Sequence, residues 1–159
     1  MIELRPITPD NHIEARKIAV RPEQERFVAS IDKSLADAYV WKDAMLRIAF
    51  EDDQPVGYVT VFPFDDDGQR VVNIVRLMVD ARFQGKGLGR ELLARTVDWI
   101  GTFAPSVDLV RISTLPDNEV ALGLYKNTGF TERGIEDGEV ALYRPLDRPL
   151  HRRRVSQAR

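Results

Sequence analysis

Along this chain the apolar positions change period several times, and each change marks an element. Residues 71–79 are a nearly continuous apolar run broken by Asn73 and Arg76, as expected of a central strand. From Leu88 the period lengthens. Leu92, Leu93, Val97 and Ile100 recur at helical spacing and predict an amphipathic helix. Residues 107–115 form a second apolar strand, which Pro116-Asp117-Asn118 ends. Asn118 is placed to cap a short helix carrying Ala121, Leu122, Leu124 and Tyr125. Lys126 falls in its last turn, and Gly129 lies just beyond, where a left-handed residue is wanted. Upstream, residues 2–6 read as a first strand. Pro9-Asp10 opens a helix predicted to run to about Val20, and a second helical region is clearest over residues 34–41. Residues 45–51 and 55–64 pair as a hairpin across Asp52-Asp53-Gln54, and Asp65-Asp66-Asp67-Gly68 is the next tight turn. A further strand begins at Phe130-Thr131, Asp137-Gly138 turns the chain, and residues 139–146 form the last strand. Strands first alone, then alternating with helices, predict an α/β layered domain with a mixed sheet.

Where the strand at 71–79 gives way to the helix at Leu88, three glycines stand at alternate positions: Gln84-Gly85-Lys86-Gly87-Leu88-Gly89. Open backbone N–H groups at the positive end of a helix dipole make an anion site suited to phosphate. A dinucleotide fingerprint is excluded because Arg90 stands where its third glycine belongs, and a P-loop because Lys86 is followed by Gly87. The remaining pattern, Gln84-x-x-Gly87-x-Gly89 between Val79-Asp80 and Leu92-Leu93, resembles the pyrophosphate loop of the GCN5-related N-acetyltransferases (GNAT). Asn118, Ala121, Leu124-Tyr125 and Gly129-Phe130 complete a second pattern, which resembles that family's other coenzyme segment. The resemblance covers roughly residues 1–146, which we expect to be one acetyltransferase domain followed by a basic tail at 147–159.

The resemblance implies a GNAT-like fold: a mixed, mostly antiparallel central sheet, splayed at the coenzyme site and flanked by helices. It implies acetyl-CoA as co-substrate and no metal. The backbone of Leu77, Met78 and Val79 would hold the pantetheine arm. Gln84, Gly85, Lys86, Gly87, Leu88 and Gly89 would cradle the pyrophosphate, with Lys86 and Arg90 either adding charge or simply solvated. Tyr125 would protonate the departing thiolate, since a phenol with a pKa of about 10 is protonated at neutral pH. Asn118 would either bond the coenzyme arm or only cap its helix. The order Val20, Gln24, Phe27-Val28, Ser30, Leu35-Ala36, Ala38-Tyr39 and later Asp137-Gly138-Glu139 resembles bacterial spermine/spermidine acetyltransferases. That resemblance places Gln24, Glu25, Phe27 and Glu139 on the acceptor side. The base that frees the amine is open among Glu139, Asp80 and Glu25. The expected reaction is direct acetyl transfer in a ternary complex to a primary amine of a small cationic metabolite, a polyamine first. Other amines (an amino acid, an aminoglycoside, a protein N-terminus) and a non-catalytic acetyl-CoA sensor are the alternatives.

Composition narrows this reading. At 159 residues, 43% apolar and 30% charged, the chain is one globular domain with a substantial core. It has no cysteine, which excludes disulfides, a thiolate nucleophile and a thiolate metal site. His12 and His151 have no ligand-like spacing and are expected at the surface. No apolar run reaches membrane-spanning length and residues 1–5 lack a signal profile, so a cytoplasmic protein with no membrane partner is expected. The net charge is −2, but from Arg144 onward six Arg and one Asp give +5, leaving −7 on the body. An acidic body argues against nucleic acid and favours a cationic small molecule through steering. The tail His151-Arg152-Arg153-Arg154 is expected to be a solvated terminus, with docking onto an acidic neighbour in a homodimer as the alternative.

Overall fold

The computed structural model describes residues 1–146, and the basic tail with His151 lies outside them. Seven strands form one open sheet. They are β1 (Glu3–Pro6), β2 (Met45–Glu51), β3 (Gln54–Asp66), β4 (Gln69–Val79), β5 (Leu109–Thr114), β6 (Thr131–Glu136) and β7 (Glu139–Pro145). Their order is β1-β2-β3-β4-β5-β7-β6. Every neighbouring pair is antiparallel except β4 and β5. That single parallel pair follows from the long helix α3 (Leu88–Phe103), which carries the chain back across the sheet between them. Helices α1 (His12–Ala15), α2 (Ile31–Val40) and α4 (Glu119–Lys126) complete the layers.

The core divides by face. Leu93, Val97 and Ile100 of α3 and Tyr125 of α4 pack with Val59, Val61, Val72, Ile74, Val110, Ile112 and Leu142 of the sheet. On the other face Ala15, Ile18 and Ile31 cover Leu46, Ile48, Tyr58 and Met78. The hairpin turns are built as the sequence predicts. Asp67 and Gly68 have φ of 49° and 83°, Asp137 and Gly138 50° and 83°, the left-handed pair a two-residue hairpin needs.

Strand β4 contains the irregularity that shapes the site. Opposite β3, Thr60 pairs with Arg76 but Val61 pairs with Ile74, so Val75 is an extra residue, a β-bulge. The extra residue reverses the alternation. Val72, Ile74 and Leu77 share one cluster, while Met78 belongs to the other. Simple alternation would have put Ile74 and Met78 together. Next to this segment, β3 comes unusually close: a Cβ on Gly57 would lie 2.2 Å from the Met78 carbonyl oxygen.

One predicted element is much shorter than expected. The helix anticipated over residues 9–20 ends at Ala15. The backbone beyond it is claimed elsewhere, because Ala19 N–H donates to the Asp80 carboxylate at 3.2 Å and Ala19 C=O accepts from Ala81 at 2.8 Å. Tertiary hydrogen bonds therefore replace the helical ladder that the local pattern favours.

Candidate functional site

Strands β4 and β5 pair only from Val71–Leu109 to Ile74–Ile112. Beyond that, β4 runs on to Val79 while β5 stays with β7 to Thr114, so the two part and leave one edge of β4 free. The opening holds a cavity of about 690 Å³ lined by Leu77, Met78, Val79, Gln84, Gly85, Gly87, Leu88, Gly89, Asn118 and Tyr125, and also by Gln24 and Phe27. Nearly all the coenzyme-side residues picked out by sequence thus meet in one place.

The glycine loop is built for an anion. Gly85 and Gly87 have φ of 80° and 81°, a conformation that costs other residues strain, and a Cβ on either would point into open space. The N–H groups of Gly85, Lys86, Gly87, Leu88 and Gly89 donate to no acceptor among the described residues, and α3 begins at Leu88. Gly89 offers its N–H from inside the first turn of α3. An added Cβ there would lie 3.5 Å from Leu124 Cδ2, an ordinary contact, so the α3–α4 packing leaves room for one. Of the two roles open for the Lys86 side chain, added charge and simple solvation, its position fits the second. Its ammonium sits 5.7 Å from the Phe83 ring centre, and Lys86 is not among the lining residues.

Two polar side chains of the site are already engaged. Gln84 Nε2 donates to Gln24 Oε1 at 2.9 Å and to the Val79 carbonyl at 3.0 Å. Asn118 caps α4 through Oδ1, which accepts from Ala121 N–H at 3.4 Å, while its Nδ2 donates to Thr114 Oγ1 at 2.9 Å. Of the two roles open for Asn118, the cap is the one these contacts perform. Asp80 is also structural. Its carboxylate is buried and receives Ala19 N–H, Arg82 N–H at 2.9 Å and the Arg82 guanidinium at 2.9 Å. Burial alone would raise its pKa, but these donors outweigh it and hold the group below its ordinary value. A carboxylate with its lone pairs filled in this way has no place as the base.

Tyr125 is buried on α4 at the cavity wall, and no hydrogen bond to its hydroxyl occurs among the described residues. Burial, and then the negative charge of Glu139, push the phenol up to about 12. It therefore stays a proton donor throughout the neutral range.

Glu25 and Glu139 lie in a second cavity of about 650 Å³, together with Arg76, Arg111 and Ser113. Sequence reasoning placed both acids on the acceptor side, and they line the same hollow. Its cations are already paired with carboxylates: Arg111 with Glu136 at 2.7 Å, Arg76 with Asp37 at 2.8 Å, Lys33 with Asp37 at 3.2 Å, and Arg26 with Asp117. Glu25 and Glu139 have no such cation among the described residues. The uncompensated charge of the hollow is thus negative. The segment above it is pinned by Tyr58, whose hydroxyl donates to the Ala29 carbonyl at 2.5 Å.

Sequence reasoning passed over Ser113, Arg76 and Val75, which line both cavities. A signal existed for Ser113. Arg111 and Ser113 are polar residues two apart in β5, so they share one face. The bulge at Val75 left no such mark. His12 is half-buried at the start of α1, and no group of three potential metal ligands occurs among the described residues. Nor is any helix among them long and apolar enough to cross a membrane.

Comparison with known proteins agrees with this geometry. The pattern defining the acetyltransferase (GNAT) family matches residues 23–130. The chain is 34% identical over 139 residues to a mycothiol acetyltransferase of Sanguibacter keddieii, covering 85% of this chain but 42% of that protein. It is 28% identical over 154 residues to the spermine/spermidine N(1)-acetyltransferase of Bacillus subtilis, covering 91% of this chain and 99% of the other. Among solved structures, spermidine N-acetyltransferase from Vibrio cholerae in complex with CoA and spermine superposes with a TM-score of 0.72 at 16% identity, over 91% of this chain and 95% of that one. The chain spans less than half the length of the mycothiol acetyltransferases it matches.

Proposed function

We propose a function from one premise: the chain belongs to the acetyltransferase (GNAT) family. The function is direct transfer of acetyl from acetyl-CoA to a primary amine of a small cationic metabolite, a polyamine first. The observation that carries it is the parting of β4 from β5. It opens a cavity that ends on bare loop amides at one side and meets an acidic hollow at the other.

Each part of the site has its own role in the transfer. The N–H groups from Gly85 to Gly89 and the dipole of α3 take the pyrophosphate. The free edge of β4 at Leu77, Met78 and Val79 takes the pantetheine arm by backbone pairing. A backbone N–H near the Val75 bulge polarises the thioester carbonyl as its oxygen becomes negative. The amine enters from the acidic hollow and attacks in a ternary complex, as expected of a chain without a cysteine nucleophile. Tyr125 gives its proton to the sulfur as the thiolate leaves.

The uncompensated Glu25 and Glu139 support a cationic acceptor, and so does the relative from Bacillus subtilis that matches over nearly its whole length. A second reading is an acceptor of the kind used by the mycothiol acetyltransferases, favoured by the 34% identity over most of this chain. A cytoplasmic enzyme with residues 1–146 as its domain and with no nucleic-acid or membrane partner belongs to the same proposal. The test is paired kinetics with spermine, spermidine and a monoamine of similar length at low and high salt. A polyamine advantage in kcat/KM that shrinks with salt supports the reading. Equal efficiency without salt dependence removes the polyamine and leaves the transferase.

A further inference from the structure

Five residues line both cavities: Phe27, Val28, Val75, Arg76 and Ser113. They mark the place where acceptor and thioester must meet. Three are apolar, and Arg76 donates only and is committed to Asp37. Ser113 is the one member that both accepts and donates a proton. Its Oγ donates to Glu139 Oε2 at 2.5 Å. The geometry is held by the sheet. Ser113 stands opposite Ala141 in the β5–β7 ladder, and Glu139 is two residues from Ala141, hence on the same face as a diagonal neighbour.

We propose that Ser113 and Glu139 are the proton acceptor for the attacking amine, Ser113 as the catalytic hydroxyl and Glu139 as the carboxylate acting through it. The inference rests on the acetyl-transfer reading of the site. The acceptor first gives up its extra proton to solvent and arrives as a neutral amine. As its nitrogen bonds to the thioester carbon, the carbonyl electrons move to oxygen. The N–H proton passes to Ser113 Oγ while the Ser113 proton passes to Glu139. The electron pair on oxygen then re-forms the C=O bond as the C–S bond breaks, the C–S pair stays on sulfur, and the sulfur takes the Tyr125 proton. Glu139 is left protonated and Tyr125 ionised. A carboxylic acid is a stronger acid than a phenol, so one proton returning from Glu139 to Tyr125 resets the site. No net proton is consumed, and the influence of the Glu139 charge on the Tyr125 phenol places the two within electrostatic reach.

The charged groups around Glu139 leave it this role. Arg111 and Arg26 are bound to Glu136 and Asp117, Arg76 and Lys33 share Asp37, and Glu25 and Asp137 add negative charge.

The experiment is steady-state and single-turnover kinetics of Glu139→Gln, Ser113→Ala, Ser113→Thr and the double variant, from pH 6 to 10, with coenzyme affinity measured by calorimetry. The proposal expects kcat to fall roughly 10²-fold in Glu139→Gln and Ser113→Ala, with acetyl-CoA affinity unchanged and the deficit shrinking at high pH as hydroxide substitutes. Ser113→Thr, which keeps the hydroxyl, retains most activity. The double variant is no worse than either single change, because the two act as a unit. Wild-type kcat in either single variant overturns the relay. So does a rise in acceptor KM with kcat kept, which would make Glu139 a binding group alone, or losses that add in the double variant. A wild-type protein that releases no thiol with any amine contradicts the transferase reading itself, and the relay with it.

Discussion

Gln84 donates its side-chain amide to Gln24 Oε1 across 2.9 Å, joining the glycine loop to the turn that leads over the acceptor hollow. Gln24 in turn accepts from Arg21 N–H at 3.1 Å, so one short chain of amides holds both halves of the site in register. Replacing either residue by Ala should cost about 1 kcal/mol of stability. A double-mutant cycle in urea should return a coupling of about 0.5–1.5 kcal/mol. Additive losses would mean that the contact carries no energy.

The loop glycines should respond differently to substitution. Gly87→Val forces a branched side chain into a left-handed conformation, and places it in the open space above the bare amides. A folded Gly87→Val protein should bind acetyl-CoA far more weakly in calorimetric titration. Gly89→Ala meets Leu124 only at ordinary contact distance, so its melting temperature should stay close to wild type. Unchanged acetyl-CoA affinity in Gly87→Val would contradict the phosphate role of the loop.

Tyr125→Phe keeps the ring and removes the proton. Single-turnover kcat should fall by roughly 10²–10⁴-fold, with KM for acetyl-CoA little changed. Because the phenol is pushed up to about 12, it remains protonated at pH 10, and wild-type turnover should show no alkaline loss from this group below that range. The same shift bears on stability. The raised pKa contributes nothing adverse below pH about 10, where folded and unfolded forms both hold the proton, and costs stability only as pH climbs from there toward 12. Near wild-type kcat in Tyr125→Phe would assign the proton to a water or another residue.

Asp80 is predicted to matter for folding and not for the proton of the amine. Asp80→Ala orphans Ala19 N–H and frees the Arg82 guanidinium, a loss of roughly 2–4 kcal/mol. The folded carboxylate titrates below its ordinary value, so its contribution is present above the unfolded pKa and fades as pH falls through the folded one. Urea midpoints of wild type and Asp80→Ala should therefore converge in strong acid. A variant as stable as wild type at pH 7 would contradict the structural role.

The strands and the coenzyme loop were legible because local signals and global fold agree there. The glycines of the loop, the Asn118 cap and the Asp67-Gly68 and Asp137-Gly138 turns each have one conformation that their chemistry favours. Two features were not legible. The residues after Ala15 have helical spacing, yet their backbone groups go to Asp80 and Ala81, more than sixty positions away. The Val75 bulge arises from pairing with β3, and it turns Arg76 toward Asp37 and away from the face of Ile74. On the acceptor side, Glu25 and Glu139 were found as charges, but their pairing state depends on cations placed by four different segments. The role of Ser113 became visible only when the two cavities met at it.

Above all, the parted strands are held to bind acetyl-CoA for attack by an amine. The most direct measurement is thiol release from acetyl-CoA with and without a panel of amines, followed by mass analysis of the amine. The account predicts slow release alone, release many times faster with a suitable amine, and a product heavier by one acetyl group. Tight acetyl-CoA binding without acceleration by any amine would contradict it, and would leave a coenzyme-binding module in its place.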